Sequence, residues 1–274
     1  MESAMDALRL LVTKKKSQAR EIAAKLSETN RKRQEATALA LTHARQSVNE
    51  NCDSKILIAH HESYLQGVVG LVAGRLVDEN YKPTIVISQI RPLSKGSARS
   101  ISGFNITEAI KSAGKYLVSA GGHPMAAGFS IEPEKIPHFK EVVQNYAEKN
   151  LSSEDLTQKL KIDCVLDPSL INNKSLQAVK NFEPFGIGNP EPVFQTSNLE
   201  VTDVRRLGSG GKHLRLVLRS PDNFIHNAIG FGMGERNVKS GDLIDAVHNL
   251  REDNWRINKK LQLKLKDFLP SKKI

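Results

Sequence analysis

The chain opens with apolar positions at helical spacing. Leu8, Leu11, Ile22, Leu26, Ala36, Leu39 and Ala40 recur through a stretch rich in Ala, Leu, Glu, Lys, Arg and Gln and free of Pro and Gly. That pattern predicts helix over about 4–48, with a break at the Lys14-Lys15-Lys16-Ser17 segment. So long a charged helix docks on something rather than forming a compact domain alone. The period then shortens. KILIAH (55–60) and KPTIVISQI (82–90) read as strands, and GVVGLVAGRLVDEN (67–80) between them reads as a helix with small residues on one face. Strand, helix, strand predicts a βαβ unit. Residues 97–101 suit a further short strand, and Asn105 or Thr107 suits the cap of a helix running to about Val118. After Gly121-Gly122-His123, residues 127–131 read as a strand and 137–150 as an amphipathic helix.

The polar run NLSSEDLTQ (150–158) is a linker candidate. Beyond it, strands are expected over 159–166, 193–207, 213–219, 226–231, 243–250 and 260–268, with a short helix near 173–182. Turn-rich segments separate them, among them Gly208-Ser209-Gly210-Gly211 and Ser220-Pro221-Asp222-Asn223. Short strands at this density predict a small β-barrel. The expected organisation is α/β plus all-β: connector helices over 1–52, an α/β domain over 53–150 and a barrel over 151–274.

Composition narrows the function. Lys and Arg number 40 against 30 Asp and Glu, a net charge of +10 that favours a polyanionic partner but equally suits a merely basic soluble protein. Two distant cysteines, Cys52 and Cys164, offer neither a CxxC zinc site nor a disulfide framework, and they fit buried thiols in a reducing cytosol. No apolar run approaches the ~20 residues of a membrane span, and no signal peptide is read, so a cytoplasmic protein without a membrane partner is expected.

Two stretches carry candidate chemistry. In AGGHPMAAGFSI (120–131), two glycines precede a histidine. Bare glycine backbone lets a ligand approach closely, consecutive N–H groups form an anion nest, and the imidazole of His123 can donate to a phosphate oxygen. By composition alone, a glycine turn with a surface histidine is the plainer reading. In SKGSARSI (94–101), strand alternation places Ser97 and Arg99 on one face, with Ser100, Lys95 and Gly96 beside them. Arg next to a hydroxyl is a natural phosphate fork, although a solvated basic edge has the same spacing.

These stretches, together with the small and apolar run 67–76, resemble the DHHA1 domain of the DHH phosphoesterase superfamily. FEPFGIGNPEPVF (182–194) is similar to the lead-in of the RecJ OB domain, and residues 4–34 resemble the helical connector of the RecJ core. The resemblance covers nearly the whole chain. It implies that Gly121, Gly122 and His123 contact the backbone near the scissile phosphate. It implies that Ser97, Arg99 and Ser100 help hold a terminal 5′-phosphate. It implies that the OB-like domain guides single-stranded DNA, with Arg205, Arg206, Lys212, Arg215 and Lys259 as basic contacts. Phe231 and Trp255 are stacking candidates that suit the barrel core better. A departure lies at Leu65, where many family members carry histidine.

The family hydrolyses phosphodiesters with two metal ions, Mn²⁺ or Mg²⁺, held by a DHH domain. This sequence has no Asp-His-His triplet. Its one histidine pair, His60-His61, lies at a strand end, where alternation sends the two rings to opposite faces and suits no shared ion. The expectation is therefore the substrate-binding part of a 5′-to-3′ single-strand exonuclease of DNA repair and recombination. Such a part binds no metal itself and is inactive unless joined by a DHH domain, whether that domain is encoded separately, as in a split gene, or belongs to a longer chain of which this sequence is a fragment. A stand-alone single-stranded nucleic-acid-binding module without catalysis is the alternative.

Overall fold

The computed structural model describes residues 4–49, 53–253 and 260–271. Cys52, Trp255 and Lys259, named above, lie outside them. The chain divides into two compact units at Gln158/Lys159. Among the described residues, no helix is long and apolar enough to cross a membrane.

In the first unit the helical stretch is split as the lysine run suggests, into α1 (Ala4–Val12) and α2 (Lys16–Asn49). The 34 residues of α2 extend for about 50 Å. Only its C-terminal part is anchored, through Ala40, Leu41, Ala44 and Val48. Next come β1 (Leu57–His61), α3 (Val69–Asn80), β2 (Thr84–Ser88), β3 (Ser94–Arg99), α4 (Ile106–Ser112), β4 (Leu117–His123), β5 (Ala126–Ile131) and α5 (Ile136–Asn150). The sheet order is β1-β2-β3-β5-β4. The β1–β2 pair is parallel across α3, and the other pairs are antiparallel.

Both sheet faces carry a core, but unequally. Ile56, Ile58, Ile85, Ile87, Ala98, Phe129 and Ile131 pack with Ile106 and Ile110 of α4 and Phe139 and Val143 of α5. Gly96 makes room for this layer, since a Cβ there would lie 2.1 Å from the Phe129 ring. On the opposite face, Leu57, Ala59 and Val86 meet α2 and the α3 residues Val69, Val72, Ala73 and Leu76. That helical layer stops short of β5 and β4. Gly121, Gly122, His123 and Gly128 are exposed.

Two expectations are corrected here. The helix after Asn105 ends at Ser112 instead of near Val118, because Leu117 and the residues after it pair with β5. Asn105 is its cap, accepting from the Thr107 and Glu108 N–H groups. The Gly121-Gly122-His123 run is strand, not turn, and the hairpin bend falls at Pro124-Met125. Glycine has little strand preference of its own, so the ladder with Gly128, Ala127 and Ala126 decides the outcome.

The second unit comprises β6 (Cys164–Val165), α6 (Asn173–Lys180), β7 (Phe194–Leu207), β8 (His213–Arg219), β9 (Ile225–Gly230), β10 (Leu243–Glu252) and β11 (Leu261–Pro270). The order β10-β11-β9-β8-β7, closed by a β10–β7 pairing, makes a five-stranded OB barrel with β6 appended to β7. Alternation fills it. Leu214, Leu216 and Leu218 point inward to meet Leu199, Val201, Ala228, Ile244, Ala246, Leu263 and Phe268. The strand expected over 159–166 shrinks to two residues, both exposed, and Cys164 is an exposed free thiol rather than a buried one.

Candidate nucleic-acid interface

Register decides which side chains share the open sheet face. Residues directly opposite in an antiparallel ladder project to the same side. Arg99 pairs with Ala126, which pairs with His123. One step along, Ser97 pairs with Gly128, which pairs with Gly121. The two stretches singled out in the sequence therefore lie side by side on one face, even though β5 runs between them.

The floor of this face is bare backbone. Gly121 adopts no left-handed conformation, and a Cβ on it would meet nothing within 4 Å; one on Gly128 would touch only the Gly96 carbonyl oxygen, at 3.8 Å. Neither conformation nor packing demands glycine at these two positions. Their bare backbone leaves the face open to close approach. Gly122 differs: at φ +152° its Cβ would lie 2.4 Å from the Ala126 carbonyl oxygen, so the fold itself requires glycine there.

One wall is the start of α3. A Cβ on Gly70 would lie 3.0 Å from Ser97 Oγ and 3.3 Å from Arg99 Nη2, which brings the first turn of α3 onto that pair. Val68 occupies the N-cap without a side-chain cap; its carbonyl accepts from the Leu71 and Val72 N–H groups, which leaves those of Val69 and Gly70 without an acceptor among the described residues. The positive end of the helix dipole and a guanidinium thus converge on one spot. Arg99 donates only to Ser97 Oγ at 3.4 Å and to the Ala98 carbonyl at 2.9 Å. It has no carboxylate partner among the described residues. His123 is exposed, and its carbonyl accepts from Thr107 Oγ1 at 2.8 Å, which fixes the end of β4.

Ser100 does not join this face. It is 5% exposed, and its hydroxyl donates to the Phe104 carbonyl at 2.6 Å. Alternation turns it to the side away from Ser97 and Arg99. The sequence reading overlooked Gly128 and gave no role to Lys95. Both were legible from the same alternation that paired Ser97 with Arg99.

His60 and His61 point to opposite sides of β1. His60 Nδ1 lies 2.8 Å from Gln89 Oε1, whereas the His61 ring lies 4.2 Å from that of His43. His43 Nδ1 is 2.7 Å from the hydroxyl of Tyr64, whose pKa burial pushes up to about 12. No group of three or more His, Cys, Asp or Glu that could hold a metal ion occurs among the described residues. The described residues therefore offer no donor set that fits a two-metal site.

On the barrel, the basic residues separate. Arg205 and Arg215 are cross-strand partners on the outer wall. Arg205 is tied to Asp203 at 2.9 Å, and Arg215 donates to Asn227 Oδ1 at 3.3 Å. Arg206 lies opposite the buried Leu214, on the other side of β7, and donates to the Gly234 carbonyl at 2.7 Å, so it is not brought to that wall. Lys212 is exposed just past the glycine turn. Phe231 is 54% exposed instead of buried in the core, with its ring 5.3 Å from that of His213. Phe224, before the other end of β9, is 61% exposed and was not foreseen. The outer wall of β8 and β9 thus presents Arg215, with Phe231 exposed just past the end of β9 nearer to it, a combination of cation and aromatic that OB folds use for single strands.

Fold and register together define a two-domain protein in which an open α/β sheet is joined to an OB barrel. Residues 53–149 match the DHHA1 domain family and residues 162–267 the RecJ OB domain family. The chain is similar to the DHHA1-and-OB portion of RecJ proteins. It is 32% identical over 272 residues to the single-stranded-DNA-specific exonuclease RecJ of Bacillus subtilis, covering 97% of this chain and 34% of that protein. The crystal structure of Thermus thermophilus RecJ with Mg²⁺ superposes with a TM-score of 0.77 at 26% identity, covering 98% of this chain and 41% of that one. The Mn²⁺ complex of the same protein gives a TM-score of 0.77 and covers 39% of that chain. The chain thus spans about a third to two-fifths of the length of these relatives.

Proposed function

We propose that the chain is the substrate-binding part of a RecJ-like 5′-to-3′ single-stranded-DNA exonuclease acting in cytoplasmic DNA repair and recombination. One observation carries this reading. An arginine without a counter-charge, a serine and an uncapped helix start converge beside a glycine floor on the open half of a sheet face. That geometry suits a terminal phosphate whose adjoining backbone lies flat on Gly121 and Gly128, with His123 beside it. The OB barrel supplies a second, less specific grip on the strand through Arg215, Lys212, Phe224 and Phe231.

Hydrolysis needs metal ions, Mn²⁺ or Mg²⁺, and the described residues of this chain offer no donor set that fits them. The reading assigns the ions to a DHH domain whose Asp-His-His triplet this sequence does not contain. No hydrolytic step is assigned to residues of this chain. Mixing the chain with a separately expressed DHH domain and Mn²⁺ restores release of nucleotides if the two are halves of one enzyme. Continued inactivity favours a stand-alone binding module.

The binding role is tested by Arg99→Ala with single strands bearing a 5′-phosphate or a 5′-hydroxyl. A hydrogen bond to a charged group contributes about 1.5–3 kcal/mol. Affinity for the phosphorylated end is therefore expected to fall more than about tenfold, with little change for the hydroxyl end. Equal loss for both ends removes Ser97 and Arg99 from the phosphate pocket.

A further inference from the structure

The open face does not end at Ser97. One step further along β3 stands Lys95, which pairs with Ser130, and Ser130 pairs with Ser119 of β4. The three residues form a third polar row parallel to the Ser97–Gly128–Gly121 row, about 6.8 Å from it along the strands. The row is joined internally. Lys95 Nζ donates to Ser130 Oγ at 2.7 Å, and Ser119 Oγ donates to the same oxygen at 3.0 Å. Ser130 is 3% exposed, whereas Lys95 and Ser119 are exposed. Lys95, like Arg99, has no carboxylate partner among the described residues. A buried hydroxyl thus steadies an unneutralised ammonium at the mouth of the face.

The other direction along the sheet offers no such continuation. Past Arg99 and His123 the strands give way to the buried Ile101 and the Pro124-Met125 bend. A strand whose terminal phosphate sits at Arg99 and whose first phosphodiester crosses Gly121 and Gly128 therefore meets its next cation along β3 at Lys95. The spacing between rows is comparable to that between neighbouring phosphates of an extended single strand.

We propose that Lys95, with Ser119 and Ser130, forms a second phosphate subsite that holds the second internucleotide phosphodiester of the bound strand, the one beyond the linkage lying on Gly121 and Gly128. This inference rests on the proposed function, because it takes its direction from the terminal phosphate at Arg99. It makes the face a reader of polynucleotide rather than of a lone terminal phosphate.

The test uses the full chain and a 5′-phosphorylated 15-nucleotide DNA, intact or with only its second internucleotide linkage replaced by an uncharged methylphosphonate. The wild-type chain is expected to bind the modified strand about fivefold more weakly, in keeping with loss of one ionic contact. Lys95→Gln is expected to bind both strands equally and at the weaker level, with its salt slope reduced by about 0.7. The side chain is exposed, so the fold persists, and an unchanged circular dichroism spectrum verifies that. A wild-type chain indifferent to the methylphosphonate, or a Lys95→Gln chain that still suffers its full penalty, overturns the subsite. Arg99→Ala on the same DNAs separates the two claims. If it lowers affinity while Lys95→Gln retains the penalty, only the second subsite falls. If it leaves the affinity for the phosphorylated strand intact, the reading of the whole face falls.

Discussion

The open sheet face and the outer wall of the barrel are both basic, yet among the described residues most barrel arginines, Arg206 and Arg215 excepted, are held by carboxylates and the sheet-face cations are not. On the barrel, Arg205, Arg219, Arg236 and Arg251 each have a carboxylate within 3.0 Å, at Asp203, Glu200, Asp267 and Glu191. On the sheet face, Arg99 and Lys95 bond only to neutral oxygens. A paired guanidinium must surrender its carboxylate before it can hold a phosphate, whereas an unpaired one has already been positioned without that competitor. The net charge of +10 therefore says less about where a polyanion is gripped than the pairing state of individual side chains does. On the proposed reading, the sheet face suits a defined phosphate and the barrel a loosely tracked strand.

The comparison breaks most readily at the glycine floor. Gly121→Val places a side chain where open space now lies, so thermal stability is expected to hold while affinity for 5′-phosphorylated single strands falls about thirtyfold, on the order of 2 kcal/mol. Binding measured by fluorescence anisotropy alongside a thermal melt checks this. Retained affinity would show that no strand lies on that floor.

A second contrast concerns acid. His248 in the barrel is fully buried, with Nε2 3.0 Å from Thr196 Oγ1, and burial pushes its pKa down to about 4. Burial likewise lowers that of His226. The folded barrel keeps these rings neutral, while the unfolded chain protonates them near pH 6.5. Stability is thus complete above about pH 6.5 and is lost as pH falls toward 4, by roughly 2 kcal/mol between pH 7 and pH 5 for His248. Urea unfolding followed by circular dichroism reads this out, and His248→Gln should flatten the pH dependence. A wild-type barrel equally stable at both pH values would contradict the buried neutral ring.

The smallest expected effects lie on the barrel wall. Arg215→Ala should weaken single-strand binding about threefold for either end chemistry and lower the salt slope by about 0.7. Arg205→Ala should change little, because Asp203 already neutralises it. Equal losses for the two substitutions would erase the distinction drawn from pairing.

Much of this was legible in the sequence, for reasons that particular residues make plain. Helical spacing located α1 and α2, and alternation located β8 exactly where His213–Arg219 runs. The same alternation put Ser97 and Arg99 on one face, and a family resemblance joined them to Gly121, Gly122 and His123. What escaped depended on distant partners. Arg206 is turned away by a carbonyl at Gly234, 28 residues on. Ser100 is spent on Phe104. Gly121 and Gly122 are strand residues only because β5 pairs with them, and Gly70 is small because Ser97 and Arg99 lie beneath it.

The claim at the centre is that a single strand lies across β3, β5 and β4 with its end at Arg99. Amide chemical-shift mapping of the labelled chain with a 5′-phosphorylated oligonucleotide tests it most directly, since glycine amides occupy a resolved spectral region. The account predicts the largest shifts at Gly70, Gly121, Gly122 and Gly128, with smaller ones on the barrel wall. Shifts confined to the barrel, with those four glycines unmoved, would contradict it.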